Sequence, residues 1–244
     1  MQVFGDRAHC PVHARKSDYP PRMKQVNPKS RSGLRPDPAP KRRAAEIIDA
    51  AAAVFAEKSF HGSTTQDIAD RLGIRQASLY YYLASKDEAL AEVCRLGVEG
   101  YLENAQKIAA SPGDATVKLA ALIRSHLAPM NMKPDYVKVF LCERQHLAGP
   151  QRRVIGRVAG AYEAVIEAVI GGAVAQGEFA AATDPRLATL ALLGMCNEAT
   201  RWINTDRGAD MEKTAAAFAA MLLGGLKRRP GPAGAAPPRP RYNR

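Results

Sequence analysis

Few residues in this chain stand at spacings that support catalysis. Glu143 and His146 have the E-x-x-H spacing of helical di-iron carboxylate proteins, which need two such motifs and two further glutamates. No other His here has a Glu three residues before it. His9, Cys10 and His13 offer three donors in a segment rich in Pro and basic residues, one short of a closed zinc set. Gly-rich phosphate loops, G-x-S-x-G and C-x-x-C are absent, so no cofactor and no metal is expected. Cys10, Cys94, Cys142 and Cys196 match no disulfide or metal spacing and read as reduced thiols. A helical di-metal or other small-molecule enzyme is the alternative reading rather than the main one.

The chemistry that the spacing does support is polar recognition, and it lies between Thr64 and Glu88. Thr64 or Thr65 can cap a helix carrying Ile68, Ala69 and Leu72 on one side. Gly73 stops that helix, because glycine tolerates the left-handed conformation a helix end requires. A second helix is predicted from about Gln76 to Leu83. At ~100° per residue, Leu79, Tyr82 and Leu83 share one face, with Ala77 and Tyr81 opposite and Ser78 and Tyr80 flanking them. Ser85 and Glu88 form an S-x-x-E capping box for the next helix. Two helices joined through Gly, the second with a small residue at the centre of a polar face, suit insertion into the major groove of DNA.

The pattern T-T-x-x-I-A-x-x-x-G, followed by L-Y-x-Y and S-K-x-E, closely resembles the N-terminal signature of TetR-family transcriptional regulators, over about residues 41–90. The resemblance implies that Thr65 and Lys86 bind phosphate, as do Tyr80 and Tyr81 through their hydroxyls. Gln76, Ala77 and Ser78 would approach bases, Gln76 pairing bidentately with adenine. Arg75 would add a phosphate or guanine contact. Ala77 stands where Gly is frequent in the family, which changes how closely the helix backbone can sit.

The formal charge is +11, but its location matters more than its size. Residues 1–40 hold eight Lys/Arg against three Asp, and residues 227–244 hold six Lys/Arg and no acid, so 41–226 is formally neutral. Both ends read as disordered basic arms, and Met23 is an alternative start. Ile47, Ala51, Val54 and Phe55 make the buried stripe of a first helix from about Pro40 to Lys58. A fourth helix should run from Ser85 to about Ile108. Beyond Ser111-Pro-Gly-Asp114, punctuation predicts further amphipathic helices: Asp114 to Met130, Asp135 to Leu147, Pro150 to Gln176, Pro185 to about Asn204 and Asp210 to Leu226. No uninterrupted apolar run reaches the ~20 residues of a membrane helix, so no membrane partner is expected and the cytoplasm is the expected compartment.

The expected architecture is all-α, and the resemblance implies a three-helix helix-turn-helix domain (41–90, motif 64–83) and a helical ligand-binding and dimerisation domain (91–226), about nine helices in all. The family resemblance implies a homodimer through the last two helices, which are rich in Ala and Gly. Its partners would be a double-stranded DNA operator and a small-molecule effector. The segment Asn197 to Trp202 looks like acyl-CoA-responsive members, with Arg201 meeting phosphate and Trp202 covering adenine or an acyl chain. Packing of Trp202 at the dimer seam is the competing reading. A purely architectural DNA-binding protein is a third possibility, against which the long uncharged second domain argues. Because the arms hold the whole net charge, deleting 1–38 and 230–244 should lower affinity for random DNA and flatten its salt dependence. Preference for the operator should survive, as binding titrations at several salt concentrations would establish.

Overall fold

The computed structural model describes residues 40–203 and 210–227. The two arms, with His9, Cys10, His13 and Met23, lie outside the described residues. The described chain is all-α: α1 Pro40–Lys58, α2 Thr65–Leu72, α3 Gln76–Leu79, α4 Lys86–Val98, α5 Tyr101–Ala110, α6 Ala115–Met132, α7 Pro134–Glu143, α8 Gly149–Ala175, α9 Pro185–Glu198 and α10 Met211–Leu226. The expected fourth helix is divided at Glu99-Gly100, where Gly100 has φ 81°; counted as one, α4 and α5 bring the number to nine. The helix begun at Pro185 stops at Glu198 rather than near Asn204, passing into a 3₁₀ turn over Ala199–Arg201. Asp114, Asp184 and Asp210 each accept a backbone N–H at the start of α6, α9 and α10, as capping side chains do.

The chain forms two compact units. The first comprises residues up to Gly97 together with Asp135–Arg153, and the second comprises Val98–Pro134 and the chain from Val154. A single second domain over 91–226 was the expectation; instead the 135–153 segment belongs with the N-terminal head. Three features seat it there. A Cβ on Gly97 would stand 2.8 Å from the Tyr136 carbonyl oxygen, so α4 and α7 approach as closely as glycine permits. Tyr136 donates its hydroxyl to Asp49 Oδ1 at 2.6 Å. Val137, Val139 and Phe140 are buried, each side chain contributing ~1.5–3 kcal/mol by leaving water.

The second unit is built on α6, α8, α9 and α10. Leu119, Leu122, Ile123 and Leu127 of α6, Ile166 and Ile170 of α8, and Leu192 and Leu193 of α9 are at most 1% exposed. By length and composition, α8 is apolar enough to cross a membrane, which counting unbroken apolar runs does not reveal. One face of it (Ile155, Ala159, Tyr162, Ile166, Ile170) is buried, and its Glu163 pairs with Arg186 at 3.0 Å. Burial pushes the thiols of Cys94 and Cys196 up to about 12, which keeps them protonated and inert.

Among the described buried polar residues of this core, His126 is the one imidazole. His126 is 5% exposed; its Nδ1 faces the Tyr162 hydroxyl at 2.8 Å and its Nε2 faces Asn197 Oδ1 at 3.0 Å. A neutral ring with Nε2–H donating to Asn197 and Nδ1 accepting from Tyr162 satisfies every partner. Burial pushes His126 down to about 4, from an ordinary 6.5. The unfolded chain therefore takes up this proton first. The stability from a neutral His126 is complete above about pH 6.5 and is lost as pH falls toward 4, by at most ~3 kcal/mol. Denaturant unfolding of the native protein and of His126→Gln across that range should show the slope in the first and its loss in the second.

Candidate nucleic-acid interface

Thr64, not Thr65, caps α2. Its hydroxyl oxygen accepts the Asp67 N–H at 3.1 Å, while the Asp67 carboxylate accepts the Thr64 N–H at 2.7 Å. The Lys58 ammonium lies against the same carboxylate and, with the Thr64 bonds next in weight, holds Asp67 at about 2. At the other end Gly73 has φ 64°, its N–H bonds to Asp70 and the Ile74 N–H bonds to the Ala69 carbonyl. This double closure ends α2 and turns the chain into α3.

The second helix of the motif is shorter than its pattern suggests. Regular α-helix ends at Leu79, and Tyr80–Tyr82 continue as a turn in which Tyr82 and Leu83 both donate to the Leu79 carbonyl. Three consecutive tyrosines, each restricted at χ1 against the preceding turn, disfavour further regular helix. Leu79 and Leu83 are 0% and 3% exposed and anchor the segment. Tyr82, expected on that buried face, is only half-buried, its ring edge-on to Tyr81 at 5.0 Å.

The predicted site residues fall into three groups. Arg75, Ala77, Ser78 and Tyr81 are exposed along one edge, Tyr81 at 82%. Thr65, Gln76 and Tyr80 are linked: Gln76 Nε2 donates to Thr65 Oγ1 at 2.7 Å, and the Thr65 and Tyr80 hydroxyls are 3.2 Å apart. Lys86 stands apart from both. Its ammonium donates to the carbonyls of Phe60 at 2.8 Å and Ser63 at 2.9 Å, over the Phe60 ring. Two of its three N–H donors thus tie the α1–α2 link, leaving one for a phosphate.

Several contacts at that link have no local signal in the sequence. The Phe60 N–H donates to Glu143 at 3.0 Å, and His61 Nε2 meets His146 Nδ1 at 3.0 Å. Partial burial and the neighbouring His61 lower the basicity of His146. The E-x-x-H pair is therefore engaged in holding the head to its last segment. Among the described residues no group of three or more His, Cys, Asp or Glu is placed to hold a metal.

In the second unit, Arg201 is exposed and paired with Glu198 at 2.8 Å. Trp202 is half-buried, edge-on to Phe218 at 6.3 Å between ring centres. Neither lines a cleft of about 470 Å³ in this unit, bounded by Gln106, Lys118, Val165, Ala168, Gly172 and Gln176 among others.

A capped helix, a glycine turn and a short helix with an exposed polar edge, held on a three-helix core, define a helix-turn-helix transcriptional regulator. The family model for bacterial regulatory proteins of the tetR family matches residues 47–93, and that for the tetracyclin repressor-like C-terminal domain matches 112–226. The chain belongs to the TetR family of transcriptional regulators. It is 26% identical to the HTH-type transcriptional repressor KstR2 of Rhodococcus jostii, over 75% of this chain and 91% of that protein. The structure of the ketosteroid transcriptional regulator KstR2 of Mycobacterium tuberculosis superposes with a TM-score of 0.71 at 25% identity, covering 77% of this chain and 96% of that one. The FadR regulator of Bacillus subtilis, solved with stearoyl-CoA, shares the fold with a TM-score of 0.61 at 24% identity, covering 74% and 98%.

Tyr81→Phe should leave the melting temperature unchanged and weaken DNA binding, since its hydroxyl touches solvent alone. Lys86→Met should weaken DNA binding and also lower stability, by ~1–3 kcal/mol, because the Phe60 and Ser63 carbonyls lose a charged donor. Thermal melts and operator titrations on the two variants separate the roles.

Proposed function

We propose that the chain acts as a homodimeric repressor, released from its operator by an acyl-CoA or a similar lipophilic metabolite. The observation that carries the DNA half is the exposed edge of Arg75, Ala77, Ser78 and Tyr81, beside the buried anchor of Leu79 and Leu83. Phosphate contacts from Tyr80, Tyr81 and Lys86 would fix the register, and Gln76, Ala77 and Ser78 would meet base edges; Thr65, expected at a phosphate, has its hydroxyl engaged by Gln76 and Tyr80 instead.

Two heads are needed, because one short helix reaches only a few base pairs. The outer faces of α9 and α10 support a dimer: Leu187 and Met221 are 62% and 59% exposed, amid exposed Ala191, Gly194, Ala217, Ala220 and Gly224. Apolar residues and small side chains on adjoining helices suit close helix packing against a second copy.

The effector class is drawn from relatives: the Bacillus protein carries stearoyl-CoA, and KstR2 is a ketosteroid regulator. Arg201 and Trp202 are the proposed receivers of the nucleotide end. The Arg201–Glu198 pair is exposed, and such a pair contributes only ~0–1 kcal/mol, so a phosphate can displace the carboxylate. A ligand that prefers one of two head spacings lowers operator affinity by its differential affinity for those states. Relaying that preference would fall to the 135–153 segment, which is bonded to the head at Asp49, Phe60 and His61. The expected compartment is the cytoplasm, where operator and acyl-CoA meet.

Micromolar long-chain or steroid-derived acyl-CoA should dissociate the operator complex, whereas the free acid should not. Trp202→Ala should raise the concentration required with ligand-free DNA binding intact. A monomeric Trp202→Ala would assign Trp202 to the dimer seam instead. Met221→Glu should yield monomers by sedimentation.

A further inference from the structure

We propose that Thr65 is a positioning residue for sequence readout: it fixes which end of the Gln76 carboxamide faces the groove, and the phosphate held by Tyr80 sets that choice. This rests on the DNA-binding reading above. Thr65 is free for the task because Thr64 supplies the helix cap. Its Oγ1 lies 2.7 Å from Gln76 Nε2 and 3.2 Å from the Tyr80 hydroxyl, which joins three side chains on α2, α3 and the tyrosine turn in one short chain of hydrogen bonds.

The polarity of that chain follows from its outer end. A phosphate oxygen only accepts, so Tyr80 must donate its proton outward. The Tyr80 oxygen is then left to accept the Thr65 O–H. Thr65 in turn has only lone pairs to offer Gln76, and only the Nε2 end of the carboxamide can use them. The reverse polarity would have Tyr80 donating inward and Gln76 turned by 180°, and it would leave the phosphate without a donor. DNA therefore selects the observed arrangement. Gln76 keeps its Oε1 and second N–H free, the acceptor and donor that adenine N6 and N7 require. A side chain already held in this way also loses less conformational freedom on binding. Thr65 thus contributes discrimination between bases, which a plain phosphate contact would not.

The test uses the full chain and its selected operator, with every base pair of one half-site replaced in turn. Native protein should prefer A·T at one position by about ten- to a hundredfold, and Gln76→Ala should abolish that preference. Thr65→Val, which keeps the shape of the side chain, should reduce the preference to a few-fold, a larger loss than any it causes in random-DNA affinity, with the melting temperature unchanged. Thr65→Ser should restore it. Tyr80→Phe should lower both affinity and preference. If Thr65→Val weakens binding to all sequences equally with the preference intact, Thr65 is a phosphate contact and the inference is overturned. If Gln76→Ala leaves every preference in place, Gln76 is not the reader and the inference falls while DNA binding stands. If native protein prefers no sequence, the DNA-binding reading itself has failed.

Discussion

The head depends on how Phe60 is held. Its ring is 5% exposed, meets Phe55 edge-on at 5.6 Å and lies beneath the Lys86 ammonium. Its N–H goes to Glu143 and its carbonyl receives both Lys86 and the Ser63 hydroxyl. A buried backbone group left without a partner costs several times what a satisfied one contributes. One residue between α1 and α2 therefore links α1, α4 and the end of α7. The angle at which α2 leaves α1, and hence the pose of α3, is set there. Gly62 follows from the same crowding, since a Cβ on it would stand 2.3 Å from the Lys58 carbonyl oxygen.

The second unit has a comparable constraint of opposite character. His126 is buried and, as a neutral ring, bonded through Tyr162 and Asn197 on two other helices. Tyr101 adds a third helix by donating its hydroxyl to the His126 carbonyl at 3.2 Å. A buried polar set of this kind adds little net stability and mainly excludes alternative packings of Ala- and Leu-rich helices, which apolar contacts alone specify loosely.

What could be read from the sequence was local. The Thr64 cap, the Gly73 stop and the amphipathic stripe of α1 each need only a few neighbouring residues, and the fold class and family motif followed from them. The end of α3 at Leu79 is not visible in the periodicity, which ignores the cumulative cost of three tyrosines. The structural role of Lys86 carries no sequence signal, since its carbonyl partners are 23 and 26 residues away. The His61–His146 contact spans 85 residues and carries no pattern at all. The residues proposed to touch DNA were found by motif. The hydrogen bonds joining Thr65 to Gln76 and Tyr80 were not, because hydroxyl and amide pairing across a turn depends on backbone placement rather than on residue type.

The seating of α7 on the head bears on how this regulator can be recombined. A two-domain regulator invites chimeras in which the DNA-binding head of one protein is joined to the sensor of another. Here a graft ending near Gly97 would leave behind Val137, Val139 and Phe140, the partner of Asp49 and the partner of the Phe60 N–H. The transplanted piece would carry an uncovered apolar face and a glycine shaped for a helix that is missing. Exchange of DNA specificity in this chain therefore calls for a discontinuous transplant, 41–97 with 135–153, or for rewriting the few residues between Arg75 and Tyr81 in place.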